Sequence, residues 1–156
     1  VLVTGHTGFK GSWLSLWLQS LGAEVVGVSL DVPTTPSLYE QANVSENMIS
    51  LREDIRDVVA IRKIFQDYLP EMVFHLAAQP LVRLSYREPV ETYETNVMGT
   101  LHVLEGIRSV DSVRSAVMIT TDKCYQNKEW VWGYRENDPY SSSKGAAELL
   151  IGTRGC

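Results

Sequence analysis

The chain opens with Val-Leu-Val-Thr-Gly-His-Thr-Gly-Phe-Lys-Gly and passes straight into Ser12-Trp13-Leu14-Ser15-Leu16-Trp17-Leu18. An apolar, β-branched run that stops at Gly5 and passes, through Gly8 and Gly11, into an amphipathic helical pattern predicts a strand, a tight turn and a helix. The chemistry asks something different of each glycine. Gly5 permits the turn, Gly8 lets a diphosphate approach the backbone, and Gly11 lets the helix lie close on the strand. Phosphate would then face the free N–H groups at the positive end of the helix dipole, at Phe9, Lys10 and Gly11. The Gly-x-x-Gly-x-x-Gly spacing is one residue wider at the first gap than the standard dinucleotide fingerprint. A ligand-free turn shares that composition, so features further along the chain must decide between the two.

Strand and helix patterns alternate from there. Helix is expected over 11–21, ended by Gly22, and strand over 24–30. Asp31, twenty positions after Gly11, stands where a carboxylate accepts hydrogen bonds from an adenosine ribose and repels a 2′-phosphate. That favours NAD over NADP. Ser29 is the alternative partner for the ribose, and Asp31 would then only open the Pro/Thr-rich loop that follows. A helical turn is expected near 38–42 and a short strand over 48–53. A helix over 58–68 follows, with Asp54 either facing the adenine amino group or capping that helix. Strand 72–76 runs into the small residues Ala77 and Ala78, which allow close approach of a flat ligand. A long helix is expected over 89–110, with Pro at its start and apolar residues at 90, 93, 97, 101, 104 and 107. Asn96 and His102 within it read as structural polar groups. The last strand, 113–119, ends at Thr120-Thr121-Asp122-Lys123.

This order predicts an α/β domain, a doubly wound parallel sheet of Rossmann type with helices on both faces. The turn, Asp31, Asp54, Ala77, Ala78 and residues 120–123 then fall on one edge, beyond the carboxyl ends of the strands. With 156 residues and 44% apolar content, one domain can bury a core. A net charge of −5 without a basic cluster argues against nucleic acid as a partner. No apolar run approaches membrane-spanning length, and Cys124 and Cys156 make neither a disulfide framework nor a metal site. A reducing, cytoplasmic setting is the simplest expectation. The chain begins within a strand and ends as a helix gets under way, so a fragment lacking a C-terminal substrate domain is expected.

The last motif is Tyr140-Ser141-Ser142-Ser143-Lys144, leading into a strongly helical segment. Residues four apart share a helix face, so phenol and ammonium stand side by side. A nearby cation favours the phenolate and makes the tyrosine a usable base for a hydroxyl proton. The same lysine could hold a nicotinamide ribose. Tyr-x-x-x-Lys also arises by chance in helices, and the dinucleotide turn upstream gives it weight.

Thr4-Gly5-x-x-Gly8-x-x-Gly11, Asp54-Ile55-Arg56-Asp57, His75-Leu76-Ala77-Ala78, Asn96-Val97-x-Gly99-Thr100 and Tyr140-x-x-x-Lys144 together resemble the extended short-chain dehydrogenase/reductases. Residues 4–14, Gln79-Pro80-Leu81-Val82-Arg83 and 121–130 are similar to the nucleotide-sugar 4,6-dehydratases of the branch that takes CDP-glucose. The resemblance implies NAD as cofactor. With the reading above, its contacts would be Gly5, Gly8, Phe9, Lys10, Gly11, Asp31, Asp54, Ile55, Leu76, Ala77, Ala78, Gln79, Thr120, Tyr140 and Lys144. It further implies that Tyr140 takes the proton of the sugar 4-hydroxyl as hydride leaves carbon 4, and that Asp122 is general acid for the departing 6-hydroxyl. Thr121 would be a hydrogen-bond partner near the 4-oxygen. Lys123 replaces the glutamate of the wider dehydratase pattern; an ammonium accepts a proton only with a depressed pKa, so Lys123 is either a site residue or a partner holding Asp122 ionised. A homodimer or higher homo-oligomer through a four-helix contact of the long helix and the Tyr140 helix is implied as well. The run Tyr134-Arg135-Glu136-Asn137-Asp138-Pro139-Tyr140 lacks the glycine-containing loop usual in the family; either the loop has been lost or residues are missing before Tyr140, and the second is the expectation.

Overall fold

The computed structural model describes residues 1–124 and 138–153. Most of the shortened run before Tyr140 therefore lies outside the described residues. Five strands, β1 (Leu2–Thr4), β2 (Val26–Ser29), β3 (Ile49–Arg52), β4 (Met72–His75) and β5 (Ser115–Met118), are all parallel, in the order β3-β2-β1-β4-β5. The chain steps one way from β1 to β3 and then returns to the other side of β1. Right-handed crossovers put the helices of the two halves on opposite faces, and the crevice opens where the order reverses, between the carboxyl ends of β1 and β4.

The helices are α1 (Phe9–Ser20), α2 (Leu38–Gln41), α3 (Val58–Tyr68), α4 (Val82–Arg87), α5 (Pro89–Tyr93), α6 (Thr100–Arg108) and α7 (Pro139–Thr153). The core lies on the α3/α6 face. Leu2, Val26, Val28 and Val73 of the sheet meet Ile61, Ile64 and Phe65 of α3, Val103 of α6, and Ile55. Phe65 is fully buried, a contribution of about 1.5–3 kcal/mol from transfer alone. A Cβ at Gly106 would stand 2.4 Å from its ring, so the glycine sets how closely α6 crosses α3.

On the other face α1 differs from the expected amphipathic helix. Gly11, Ser12 and Ser15 are its buried residues, whereas Phe9, Trp13 and Trp17 are 71%, 55% and 64% exposed. Close approach explains the inversion, since a Cβ at Gly11 would lie only 2.0 Å from the Gly5 carbonyl oxygen. The small side of the helix is thus the one that faces the strand.

Three further expectations are corrected. Asp57, not Asp54, caps α3, its Oδ1 accepting from the amides of Val59 and Ala60. The long helix is continuous over 89–108 but holds a π-helical stretch, Glu94–Gly99, between α5 and α6. Its buried side begins polar, with Thr92, Asn96 and Thr100, while Val90 and Tyr93 point outward. Finally, α4 and the 3-10 turn Val44–Asn47 form where no element was expected; the four-residue helix α2 confirms the turn near 38–42. No helix among the described residues is long and apolar enough to cross a membrane.

Candidate functional site at the carboxyl edge of the sheet

The glycine turn has the form the sequence demands. Gly5 sits at φ +78° beside β4, where an added Cβ would lie 2.8 Å from the Ala77 amide nitrogen. The Gly5 amide donates to Val28 and the Gly8 amide to Gly5, which closes the turn. Gly8 then caps α1 without a side chain, and the first turn holds no acidic residue. The amides at Phe9, Lys10 and Gly11 are thus left for an outside acceptor, with the helix dipole behind them, and this is an environment into which a diphosphate fits. Phe9 and Lys10 are exposed.

The turn is tied to β2 by Thr7, whose Oγ1 lies 2.6 Å from Ser29 Oγ and donates to the Leu30 carbonyl at 3.2 Å. Ser29 is buried and engaged, whereas the Asp31 side chain is 97% exposed. Of the two candidates for a ribose, Asp31 is the exposed one, its carboxylate facing outward with Oδ1 3.5 Å from Arg52 Nε.

Beneath the edge runs a buried polar chain. Thr4 Oγ1 accepts from the amides of Leu76 and Ala77, so its proton goes to His75 Nδ1 at 2.7 Å. His75 then carries its hydrogen on Nε2 and donates to Thr100 Oγ1 at 3.1 Å, which donates to the Asn96 carbonyl. Asn96 Oδ1 accepts from the Gln79 amide, and its Nδ2 donates to the Gln79 carbonyl and to Ser143 Oγ of α7. Complete burial, with the positive Lys144 nearby, lowers the His75 pKa to about 3 and keeps the ring neutral. The ends of β1 and β4, the π stretch and α7 are held by one satisfied network.

α7 starts with Asp138 as its cap, Oδ1 accepting from the Ser141 amide, and with Pro139 in the first turn. The Tyr140 amide donates to buried Ser85 of α4 at 3.1 Å. Tyr140 and Lys144 are 8% and 6% exposed, and Lys144 Nζ donates to the Ile119 carbonyl, just past β5, at 3.1 Å. Burial depresses the Lys144 pKa, partly offset by Glu148 and Cys124. Beyond Ile119, Thr120 is exposed, and Asp122–Cys124 form a 3-10 turn that presents Asp122 and Lys123 to solvent. Thr121 Oγ1 accepts from the Lys123 amide and lies 3.4 Å from Asp122 Oδ1. Among the described residues Asp122 and Lys123 form no ion pair.

Two expected contacts are occupied from within. Burial alone would raise the Asp54 carboxyl, but hydrogen bonds and charge from Arg56 outweigh it and hold the pKa below the usual range. Arg56 Nε and Nη2 both reach Asp54 Oδ2, at 2.8 and 2.6 Å. The Gln79 side chain turns inward to Leu81 and Thr92. Ile55 is buried, and Leu76, Ala77 and Ala78 are partly exposed beside the turn. Sequence reasoning missed Ser85 and the role of His75. The polar i, i+4 series Thr92, Asn96, Thr100 was the available signal for a buried polar face.

A sheet wound this way, with a glycine turn at its reversal point and the helix of Tyr140 and Lys144 tied to the end of β5, defines a Rossmann-type nucleotide-binding domain. The chain belongs to the GDP-mannose 4,6-dehydratase family, whose model matches residues 2–153. It is 59% identical to the CDP-glucose 4,6-dehydratase of Salmonella typhimurium over 96% of this chain and 44% of that protein. It is 29% identical to the CDP-paratose 2-epimerase of Salmonella typhi over 97% of this chain and 51% of that one. Among solved structures, the UDP-glucose 4-epimerase of Thermus thermophilus in complex with NAD superposes with a TM-score of 0.83 at 31% identity, covering 99% of this chain and 50% of that chain. The Thermotoga maritima UDP-glucose 4-epimerase with UDP-glucose gives 0.84 at 28% identity, covering 98% and 50%. The chain spans about half the length of the relatives it matches.

Proposed function

We propose that this chain is the cofactor-binding half of an NAD-dependent nucleotide-sugar 4,6-dehydratase, a hydro-lyase converting CDP-glucose to CDP-4-dehydro-6-deoxyglucose with loss of water. The contact that carries the reading is Lys144 Nζ on the Ile119 carbonyl, because it packs the helix bearing Tyr140 against the strand end that leads to Thr121 and Asp122. The 59% identical relative with that activity supports the choice of substrate.

Gly5, Gly8 and the amides of Phe9, Lys10 and Gly11 would hold the diphosphate, with Asp31 on the adenosine ribose. Ile55 would flank the adenine, and Leu76, Ala77, Ala78 and Thr120 would line the crevice, with Asp54 engaged by Arg56 and the Gln79 side chain by Leu81 and Thr92. NAD supplies a hydride acceptor that returns the hydride within the same turnover. Tyr140 takes the proton of the sugar 4-hydroxyl, with Lys144 one helical turn further along the same face of α7. Thr121 hydrogen-bonds near the 4-oxygen. The ketone so formed acidifies carbon 5; its proton would pass to a base of the site while Asp122 protonates the departing 6-hydroxyl, so that water leaves across carbons 5 and 6 and carbon 6 takes back the hydride first removed from carbon 4. Lys123 stands on the same exposed turn. We also assign a homodimer through the long helix and α7, supported by the exposure of Val90, Tyr93, Met98 and Leu149. The setting is cytoplasmic.

Incubating the full-length protein with CDP-, dTDP- and GDP-sugars tests the assignment. CDP-glucose should give the ultraviolet signature of a 4-keto product; no product from any of them would overturn the reading. Asp122→Asn should stop water loss while leaving the first oxidation of the sugar measurable. An epimerase on this scaffold would lose little activity from that change.

A further inference from the structure

Of residues 119–124, which carry the chain from β5 through the turn of Thr121, Asp122 and Lys123, only Cys124 is buried, at 4% exposure. Its Sγ donates to the Thr121 carbonyl at 2.8 Å and so closes the turn from its buried side. The side chain rests on α7, where a Cβ added at Gly145 would stand 3.6 Å from Cys124 Cβ, an ordinary contact distance. Glu148, one helical turn beyond Lys144, also meets the thiol. Lys144 itself grips the Ile119 carbonyl. One face of α7 thus holds the strand extension at two points, Ile119 through Lys144 and Thr121 through Cys124.

Cys124 is not placed to react. Burial, then the hydrogen bond and charge of Glu148, push its thiol up to about 11, so the sulfur keeps its proton and stays a donor. What it governs is geometry. Asp122 and Lys123 are exposed and Thr121 is half-buried, so the turn's own side chains give it little anchoring. Resting on the dehydratase reading above, we propose that Cys124 is a positioning residue for water loss: by tying the Thr121 carbonyl to α7 it holds Asp122 at a fixed reach from Tyr140, where the acid meets the sugar 6-hydroxyl. A displacement of about 1 Å in such a group costs on the order of 10²-fold in rate. The first oxidation should suffer less, because the Tyr140 amide is held by Ser85 without the help of Cys124.

The test uses the full-length protein with NAD and CDP-glucose and compares the parent with Cys124→Ala and Cys124→Ser. Reduced nicotinamide formed in a single turnover reports removal of the carbon-4 hydride, and the 4-keto-6-deoxy product reports water loss. Cys124→Ala should slow water loss about tenfold to a hundredfold, while the oxidation rate and the KM for the sugar change about twofold or less. Reduced nicotinamide should then accumulate, since the hydride returns only after water has left. Cys124→Ser keeps a donor for the Thr121 carbonyl and should restore most of the rate. Melting curves verify that the variants fold, and Cys124→Val takes the place of alanine if that variant does not. Equal slowing of both steps, or a serine variant no faster than the alanine one, would overturn the role of Cys124 while the dehydratase reading stands. If the parent forms no product from any nucleotide sugar, both fail.

Discussion

Gly11 leaves no room for even one methyl group. Its added Cβ would lie 2.0 Å from one backbone atom and within 2.8 Å of two others, and none of these can move aside as a side-chain tip could. Gly11→Ala should therefore lift α1 off the turn, costing about 1–3 kcal/mol in a denaturant titration and weakening NAD binding at least severalfold. His75 makes a second prediction at this scale. Its folded pKa is near 3 and its ordinary value is 6.5, so between those limits the unfolded chain binds the extra proton. Stability is then full above about pH 6.5 and is lost as pH falls toward 3, by about 1.4 kcal/mol per pH unit for each such histidine. His6, lowered to about 4, adds to the same slope. Stability against pH for His75→Gln should show a shallower fall between pH 6.5 and 4; an unchanged slope would contradict the buried neutral assignment.

Among the elements, the long helix shows how far periodicity reaches. The apolar positions at 90, 93, 97, 101, 104 and 107 correctly mark a helix, because their spacing is a backbone property. They mark the wrong face for its first half: Val90 is exposed, while Thr92, Asn96 and Thr100 are buried. Hydrophobic patterning counts apolar side chains, and a face made of satisfied polar groups is invisible to it. The π stretch Glu94–Gly99 holds Asn96 where it grips both sides of Gln79 and the Ser143 hydroxyl at once. Asn96→Leu would leave the Gln79 amide buried without a partner, so a loss of about 2 kcal/mol or more is expected, read as a lower denaturation midpoint at constant m-value. α1 was misjudged for a related reason. Its small residues, not its tryptophans, determine which side can reach the strand.

For the molecule as a whole, the parallel sheet and the edge that gathers the candidate residues were legible because alternating strands and helices leave few topologies. The glycine turn and Tyr140-x-x-x-Lys144 were legible because their chemistry is written in local spacing. The ties that join these parts, Thr7 to Ser29, Ser85 to Tyr140 and Lys144 to Ile119, span 22 to 55 residues and leave no local trace. The exposed apolar positions of the long helix and α7 lead to a further expectation. Val90→Glu with Leu149→Glu should weaken self-association in sedimentation while NAD affinity holds; an unaltered dimer would remove that interface. The central claim, that one edge oxidises a sugar at carbon 4 and returns the same hydrogen after water has left, is tested most directly with CDP-glucose deuterated at carbon 4. Mass and NMR analysis of the product should find the deuterium on carbon 6, transferred within the same sugar. Deuterium retained at carbon 4, or an intact 6-hydroxyl, would contradict it.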